Sequence, residues 1–430
     1  MLLAVYRLLT WVALPIVAIY HWYRSMSRGR KTGFKERFGG IAPQSAAVLT
    51  GQPAFWLHAV SVGEVVAARP LLRGLRKEYA GYRLLLTVTT ETGRGVAEKD
   101  GLADVVTYFP FDIDFAVRRL LDTVKPRAVI FMETEIWPVF TCEAKRRNIP
   151  LMLANGRISG RSFPRYRRFA WFFRPVLHRF DALGMQTEAD RERILAAGAP
   201  PQRSLVLGNL KYDIPSSPVT SDERRDARAR FRIPFDLPVL TAGSTHLGEE
   251  EQVLAAWQGA HNQHAGLLLV LVPRHPERAD EVERLIRDQG VEVVRRSQLE
   301  RLDGWCHAGM VLLVDTVGEL MPLYALADLA FVGGSLVPAG GHNLLEPASR
   351  GIPALFGPCM DNFREITGLV LAYGAGVQVA DWQQLQQEVA AFLTTPELAQ
   401  VIGANGLKLL RDRGGATKRY LAVLDEVLKR

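Results

Sequence analysis

With only three widely separated cysteines (Cys142, Cys306 and Cys359) in 430 residues, the chain can build neither a disulfide framework nor a zinc pattern. A reducing compartment is expected. The chain also lacks GxxxxGK(S/T), and no GxGxxG follows an early strand, which weighs against P-loop and dinucleotide-dehydrogenase chemistry. No low-complexity tract interrupts a composition that is 48% hydrophobic and 23% charged, so a folded rather than a disordered chain is expected. The length calls for two or three domains.

The net charge of +8 has a local source at the front, where Arg24, Arg28, Arg30, Lys31, Lys35 and Arg37 face the single acid Glu36. An apolar run, Leu8 to Tyr23, precedes this cluster and is broken only by Thr10 and His21. As a helix it spans roughly 24 Å, against ~30 Å of membrane hydrocarbon. Extension back to Leu2 brings in Arg7, whose head can snorkel to an interface. Aromatic ends, a basic flank and no small-residue cleavage site argue for a membrane anchor over residues 1–24. A cleaved signal peptide and a buried helix are the readings set aside. The positive-inside rule then puts the rest of the chain in the cytoplasm.

Downstream, short apolar runs alternate with amphipathic stretches, the pattern of βαβ units. Strands are expected at Ala54–His58, Leu84–Thr89, Ala128–Met132, Leu151–Asn155, Ala182–Gln186 and Leu205–Gly208. A second set is expected at Val239–Ala242, Leu267–Val272, Val291–Val294, Val311–Val314, Leu329–Val332 and Ala354–Phe356. Between the sets, Ile214 to Asp222 is rich in Pro, Ser and Thr and reads as a linker. Two Rossmann-like domains are expected, over 25–213 and 223–430, facing across a cleft, with room for the last helix to pack back on the first. Ligands of such domains sit at the carboxyl ends of the strands.

Polar residues cluster at those ends. Val332 to Ala348 reads VGGSLVPAGGHNLLEPA. Its glycines allow close backbone approach, and its helix start offers free N–H groups to a phosphate. Asn343 and Glu346 fit a capping box equally well. Glu64, in the first turn after SVG, reads either as a residue that complements the helix dipole or as a proton acceptor. Glu133 and Glu135 end a buried strand, where an unpaired charge is costly. They suggest substrate positioning more than a metal site, since no His or Asp accompanies them. Lys211, just before the linker, is either solvated or aimed at an anion. Arg274, after a buried apolar strand, suits phosphate. The turn Asp315 to Leu320 adds backbone donors.

The motifs HAVSVGE, METEIWP, GNLKYD, LVPRHPER, DTVGEL and FVGGSLVPAGGHNLLEPA stand here in the order found in the 3-deoxy-D-manno-octulosonic acid (Kdo) transferases of Gram-negative bacteria. ERFG at Glu36–Gly39 also looks like a motif of that family, and nearly the whole chain resembles it. The resemblance implies a GT-B glycosyltransferase that moves Kdo from CMP-Kdo to a lipid A precursor at the cytoplasmic face of the inner membrane. It further implies inner-membrane lipids as partners, no cofactor, no metal, and inversion at the anomeric carbon. By motif, Glu64 would be the general base, Glu133 a transition-state or acceptor-positioning group, and Lys211 an aid at the reacting centre. Pro273, Arg274, Val317, Gly318, Glu319, Asn343, Leu344, Leu345 and Glu346 would hold CMP. Val317 and Leu344 depart from the family's usual Met and Pro, but these changes spare the polar atoms. An arginine-rich aromatic stretch from Arg157 to Arg179 suits a phosphorylated, acylated acceptor. No nucleic-acid motif accompanies it. The competing readings are a transferase or 2-epimerase acting on a UDP-sugar, and a nucleotide-binding protein without catalysis.

Overall fold

The computed structural model describes residues 2–28, 33–264, 266–301 and 304–429. The chain divides into two compact units, Met1–Asp213 with Arg413–Arg430, and Ile214–Asp412.

In the first unit the apolar runs become β1 (Ala54–His58), β2 (Arg83–Val88), β3 (Val105–Tyr108), β4 (Ala128–Met132), β5 (Leu151–Gly156), β6 (Ala182–Met185) and β7 (Ser204–Val206). They form one parallel sheet in the order β3-β2-β1-β4-β5-β6-β7. Every residue of β1, β4 and β5 is buried, because helices cover both faces, and this is why the strands read as unbroken apolar runs. The second unit holds β8 (Val239–Thr245), β9 (Leu268–Pro273), β10 (Glu292–Arg295), β11 (Met310–Leu313), β12 (Leu329–Val332), β13 (Ala354–Phe356) and β14 (Gly376–Gln378). Its parallel order is β10-β11-β9-β8-β12-β13-β14. In each sheet the chain reverses its direction of travel once, between β1 and β4 and between β8 and β12. The helices diverge there and leave a crevice at the carboxyl ends.

The last helix, Ala416–Lys429, belongs to the first unit. Tyr420, Leu421, Leu424 and Val427 enter its core. The Tyr420 hydroxyl accepts from the Asn155 N–H at 2.8 Å and lies 3.1 Å from the Gly184 carbonyl, tying together the ends of β5 and β6. Glu36 of ERFG braces β3. It accepts from Arg94 (2.8 Å), from the Thr107 hydroxyl (2.9 Å) and from the Tyr108 N–H (3.1 Å). Gly39 stands at φ +76°, where an added Cβ would lie 2.1 Å from the Ala116 carbonyl oxygen, so only glycine fits.

The expected membrane anchor does not hold. Leu2–Arg28 is a helix with Pro15 inside it, but among the described residues no helix is long and apolar enough to cross a membrane. The physical reason lies in its first turns, which dock on the first unit. Arg7 pairs with Asp114 at 2.7 Å and with the buried Glu143 at 3.2 Å, so its charge is held by protein rather than at a lipid interface. Leu3 and Tyr6 pack against the core, and Tyr6 and Trp11 lie against Phe172 and Phe115. The expectations of inner-membrane lipids as partners and of an anchored location fall with the anchor. Of the basic flank, Arg30 and Lys31 lie outside the described residues.

Candidate active site

The switch point of the first sheet gathers carboxylates. β1 ends at His58, and the chain turns through Val60 and Ser61 into the helix Val62–Glu78, which places Glu64 in its first turn. Glu64 is only 9% exposed. One of its oxygens accepts from the Val60 N–H at 2.9 Å, and the other lies 3.4 Å from the Ser61 hydroxyl. Burial pushes its carboxyl up to about 7 against the Val60 bond, and the charges of Glu133 and Glu135 add to the push. Those two acids follow β4, the neighbour of β1 across the switch point. Burial, with Glu133 beside it, raises Glu135 as well. Glu133 adopts a left-handed φ of 53°, uncommon for a residue with a side chain, and its N–H is held by the Ala154 carbonyl at 2.8 Å.

Beneath these acids the strand is closed by an inert histidine. His58 is fully buried, bonded through Nδ1 to Thr87 and stacked 4.0 Å from Phe109, and burial pulls its imidazole down to about 3. It is neutral at physiological pH.

A polar network fixes the next turns. Gln186 donates to the Asn155 carbonyl (2.9 Å), Asn209 donates to Gln186 (3.0 Å), and the Leu210 N–H donates to the Asn155 side chain (3.0 Å). This holds the short turn Leu210–Tyr212, which packs on the helix bearing Glu64. Lys211 is half-buried there, with its backbone N–H on the Asn209 side chain at 3.0 Å. Glu64, Glu133 and Lys211 thus come from three turns at the same edge of one sheet.

The switch point of the second sheet gathers basic side chains. β8 runs out at Thr245 into His246, and β12 leads through Gly333 and Gly334 to His342. The two rings meet head-on in nearly parallel planes (14°), with centroids 5.2 Å apart and Nε2 facing Nε2 at 2.9 Å. His275, after β9, stands edge-on to His246 at 5.9 Å. Burial lowers both imidazoles, and neighbouring histidines and Arg274 lower them further, His342 to about 4. Arg274 is exposed, and its N–H is fixed to the Thr245 carbonyl at 2.9 Å. Glu249, fully buried, accepts from the N–H groups of His246 (3.1 Å), Gly334 (2.6 Å), Ser335 (2.9 Å) and Leu336 (2.9 Å). One carboxylate therefore clamps both turns of the crevice.

The other expected nucleotide residues sit around this point. Pro273 is buried at the end of β9, in register with Thr245. Val317 and Gly318 form an exposed turn after β11, the strand beside β9, and Gly318 has φ +92°. Glu319 is held by Arg230 at 2.7 Å, by Arg296 at 3.3 Å and by the Thr316 hydroxyl. These contacts outweigh its burial and hold it below the usual carboxylate range. The turn lines an open cavity of about 560 Å³. The Asn343 side chain accepts from the Leu345 N–H at 3.2 Å and lies 3.4 Å from Glu346, so part of the capping arrangement is present. Leu344 and Leu345 bury their side chains, leaving only backbone to meet a ligand. The sequence places His246 and His342 in polar turns after strands, but neither their pairing nor Glu249 can be read from it. The sole signal was position, since each follows a strand or its glycine turn. Among the described residues no group of three or more His, Cys, Asp or Glu is arranged to hold a metal ion.

Two doubly wound parallel-sheet units in one chain, each with polar side chains at its switch point, have the architecture of the two-Rossmann glycosyltransferases. The family described as 3-deoxy-D-manno-octulosonic-acid transferase (kdotransferase) matches residues 32–214. A 3-deoxy-D-manno-octulosonic acid transferase of Haemophilus influenzae is 33% identical over 99% of this chain and 98% of its own. One of Bordetella pertussis is 32% identical over 96% of each. A UDP-GlcNAc 2-epimerase of Neisseria meningitidis, solved with UDP-GlcNAc, superimposes with a TM-score of 0.55 over 87% of this chain and 100% of its own. At 16% identity it speaks for the fold alone. The chain belongs to the Kdo transferase family.

Proposed function

We propose that Glu64 is the general base with which this enzyme transfers Kdo from CMP-Kdo to a lipid A precursor, the reaction of its family. The observation that supports this role is the environment of Glu64, a nine-tenths buried carboxyl at the switch point, pushed up to about 7 beside Glu133 and Glu135. A base matched to the working pH is partly ionised yet still basic enough to take a proton in the transition state.

In this reading the acceptor hydroxyl gives its proton to Glu64 as its oxygen attacks the anomeric carbon of Kdo. The bond to the phosphate breaks on the opposite face, so configuration inverts and CMP leaves with its electron pair. CMP is stable as an anion and needs no protonation by an acid. It needs preorganised positive charge and N–H dipoles. Arg274 supplies the charge, and Pro273, Val317, Gly318 and Glu319 shape the turns around the nucleotide. Asn343, Leu344, Leu345 and Glu346 present the short helix start and a carboxylate for ribose hydroxyls. Glu133 orients the acceptor, Lys211 stabilises charge at the reacting centre, and no metal is required. The direct test is Glu64→Gln. The amide keeps the shape but cannot take the proton, so transfer should fail while CMP still binds. Turnover near the wild-type rate removes Glu64 from this role.

A further inference from the structure

We propose that the hydrogen-bonded His246–His342 pair, with neighbouring Arg274, is the oxyanion subsite for the donor, and that it takes up one proton as the oxyanion arrives. This rests on the reading that the second unit binds CMP-Kdo.

Among the described residues no acid forms an ion pair with Arg274, while Arg278 and His275 have acids of their own. Arg274, His275 and Arg278 all act on His246, and Arg274 and His275 act on His342. The acids around them are occupied. Glu249 is committed to four backbone N–H groups, Glu250 to Arg278 at 2.9 Å, and Glu277 lies 3.3 Å from His275. Such a cluster keeps its histidines neutral while empty. A bound oxyanion supplies the missing counter-charge and shifts both rings toward protonation.

The geometry says where the proton goes. Facing nitrogens 2.9 Å apart require one ring to donate from Nε2 and the other to accept, so the two rings are opposite tautomers. Neither ring makes a further hydrogen bond among the described residues. The added proton goes to Nδ1 of the donating ring. The Nε2–H···Nε2 bond survives and becomes charge-assisted, and the pair carries a single positive charge. A second proton would set two N–H groups against each other, which limits uptake to one.

The site is built rather than accidental. Gly334 stands at φ +65°, and an added Cβ would lie 3.1 Å from His342 and 3.2 Å from His246, so the backbone closes against both rings. Both imidazoles are half-buried at the carboxyl edge of the sheet, where such folds bind ligands. The donor offers two oxyanions to this charge, the phosphodiester and the sugar carboxylate.

Calorimetric titration of the full chain near pH 6.5, in two buffers of different ionisation enthalpy, reads the proton. The probe is cytidine 5′-(methyl phosphate), a diester that does not itself titrate there, compared with cytidine and with free Kdo. The diester should bind with uptake of about one proton, and cytidine with none. His342→Gln should abolish the uptake and weaken the diester about tenfold. His246→Gln, on a different turn, should do the same. Arg274→Ala should weaken binding but retain uptake. Uptake with Kdo but not with the diester assigns the subsite to the carboxylate and still supports the proposal. Proton uptake with neither the diester nor Kdo, or uptake undiminished in both histidine variants, overturns the proposal and leaves the transferase reading standing. A folded chain that binds no cytidine ligand and transfers no Kdo overturns both.

Discussion

At the switch point of the first sheet the charges of Glu133 and Glu135 press on the buried carboxyl of Glu64, whereas at that of the second sheet the charge of Arg274 presses on the imidazoles of His246 and His342 and helps to keep them neutral. Both crevices arise from the same backbone event, a reversal of strand order. They differ in what like-charge crowding does to a proton. Crowded carboxylates hold a proton more tightly and so yield a base effective near neutrality. Crowded cations repel one and so yield a pocket that waits for an anion.

Glu64→Gln should break this contrast most completely. We expect kcat to fall about a hundred- to ten-thousandfold, with CMP affinity by calorimetry changed less than about twofold. The same variant bears on stability. A carboxyl raised in the folded state is easier to ionise in the unfolded chain, so it costs stability as pH climbs from about 4.5 to about 7. The amide avoids that cost, so its melting temperature should gain on the wild type across that window. Equal pH slopes for the two proteins would mean that Glu64 is not raised.

Arg274→Ala addresses the other crevice. CMP affinity should drop roughly ten- to a hundredfold, as expected for one charge-assisted phosphate contact. The pH dependence of kcat should keep its rise through about 7, because that limb belongs to Glu64. A displaced midpoint would show that the two crevices do not titrate independently.

Glu133→Gln sharpens the acidic side. With one repelling charge gone, the midpoint of the kcat rise should move below 7, whatever becomes of the maximal rate. An unmoved midpoint leaves burial and Glu135 responsible for the Glu64 shift.

The smallest effect is expected from Tyr6→Phe. The Tyr6 hydroxyl bonds the buried Asp112, which accepts from the N–H groups of Val139 (3.0 Å) and Phe140 (2.7 Å) at the start of the helix that follows the Glu133–Trp137 loop. Its loss should cost about 1 kcal/mol of stability by denaturant titration. Unchanged stability would detach the amino-terminal helix from the acidic crevice. Removal of Met1 to Tyr23 deletes Arg7 and Tyr6 together and should destabilise the first unit further.

The strands show how far sequence carries. Ala54–His58, Leu329–Val332 and Ala354–Phe356 could be read to the residue, because a parallel strand covered on both faces must be apolar throughout. Val105–Tyr108 and Gly376–Gln378 are not legible in the same way. They are short and lie at the edges of their sheets, and where one side is open the apolar signal is weak. Glu64, Glu133, Lys211 and Arg274 stood out because each follows a strand end, where chemistry collects in such folds.

Local pattern therefore determined the strand runs, the turns that carry polar groups and the family motifs. Tertiary structure alone decided which of those groups meet. His246 and His342 are 96 positions apart and touch only because β8 and β12 are neighbours in the sheet. The front of the chain teaches the same lesson. An apolar run with a basic flank reads as an anchor when it is considered alone, yet Arg7 finds Asp114 and Glu143, each more than a hundred residues away, and its charge is settled inside the protein. Hydrophobic periodicity is a property of neighbours along the chain, while the partner of a charge is set by whichever distant carboxylates the packed sheets bring within reach.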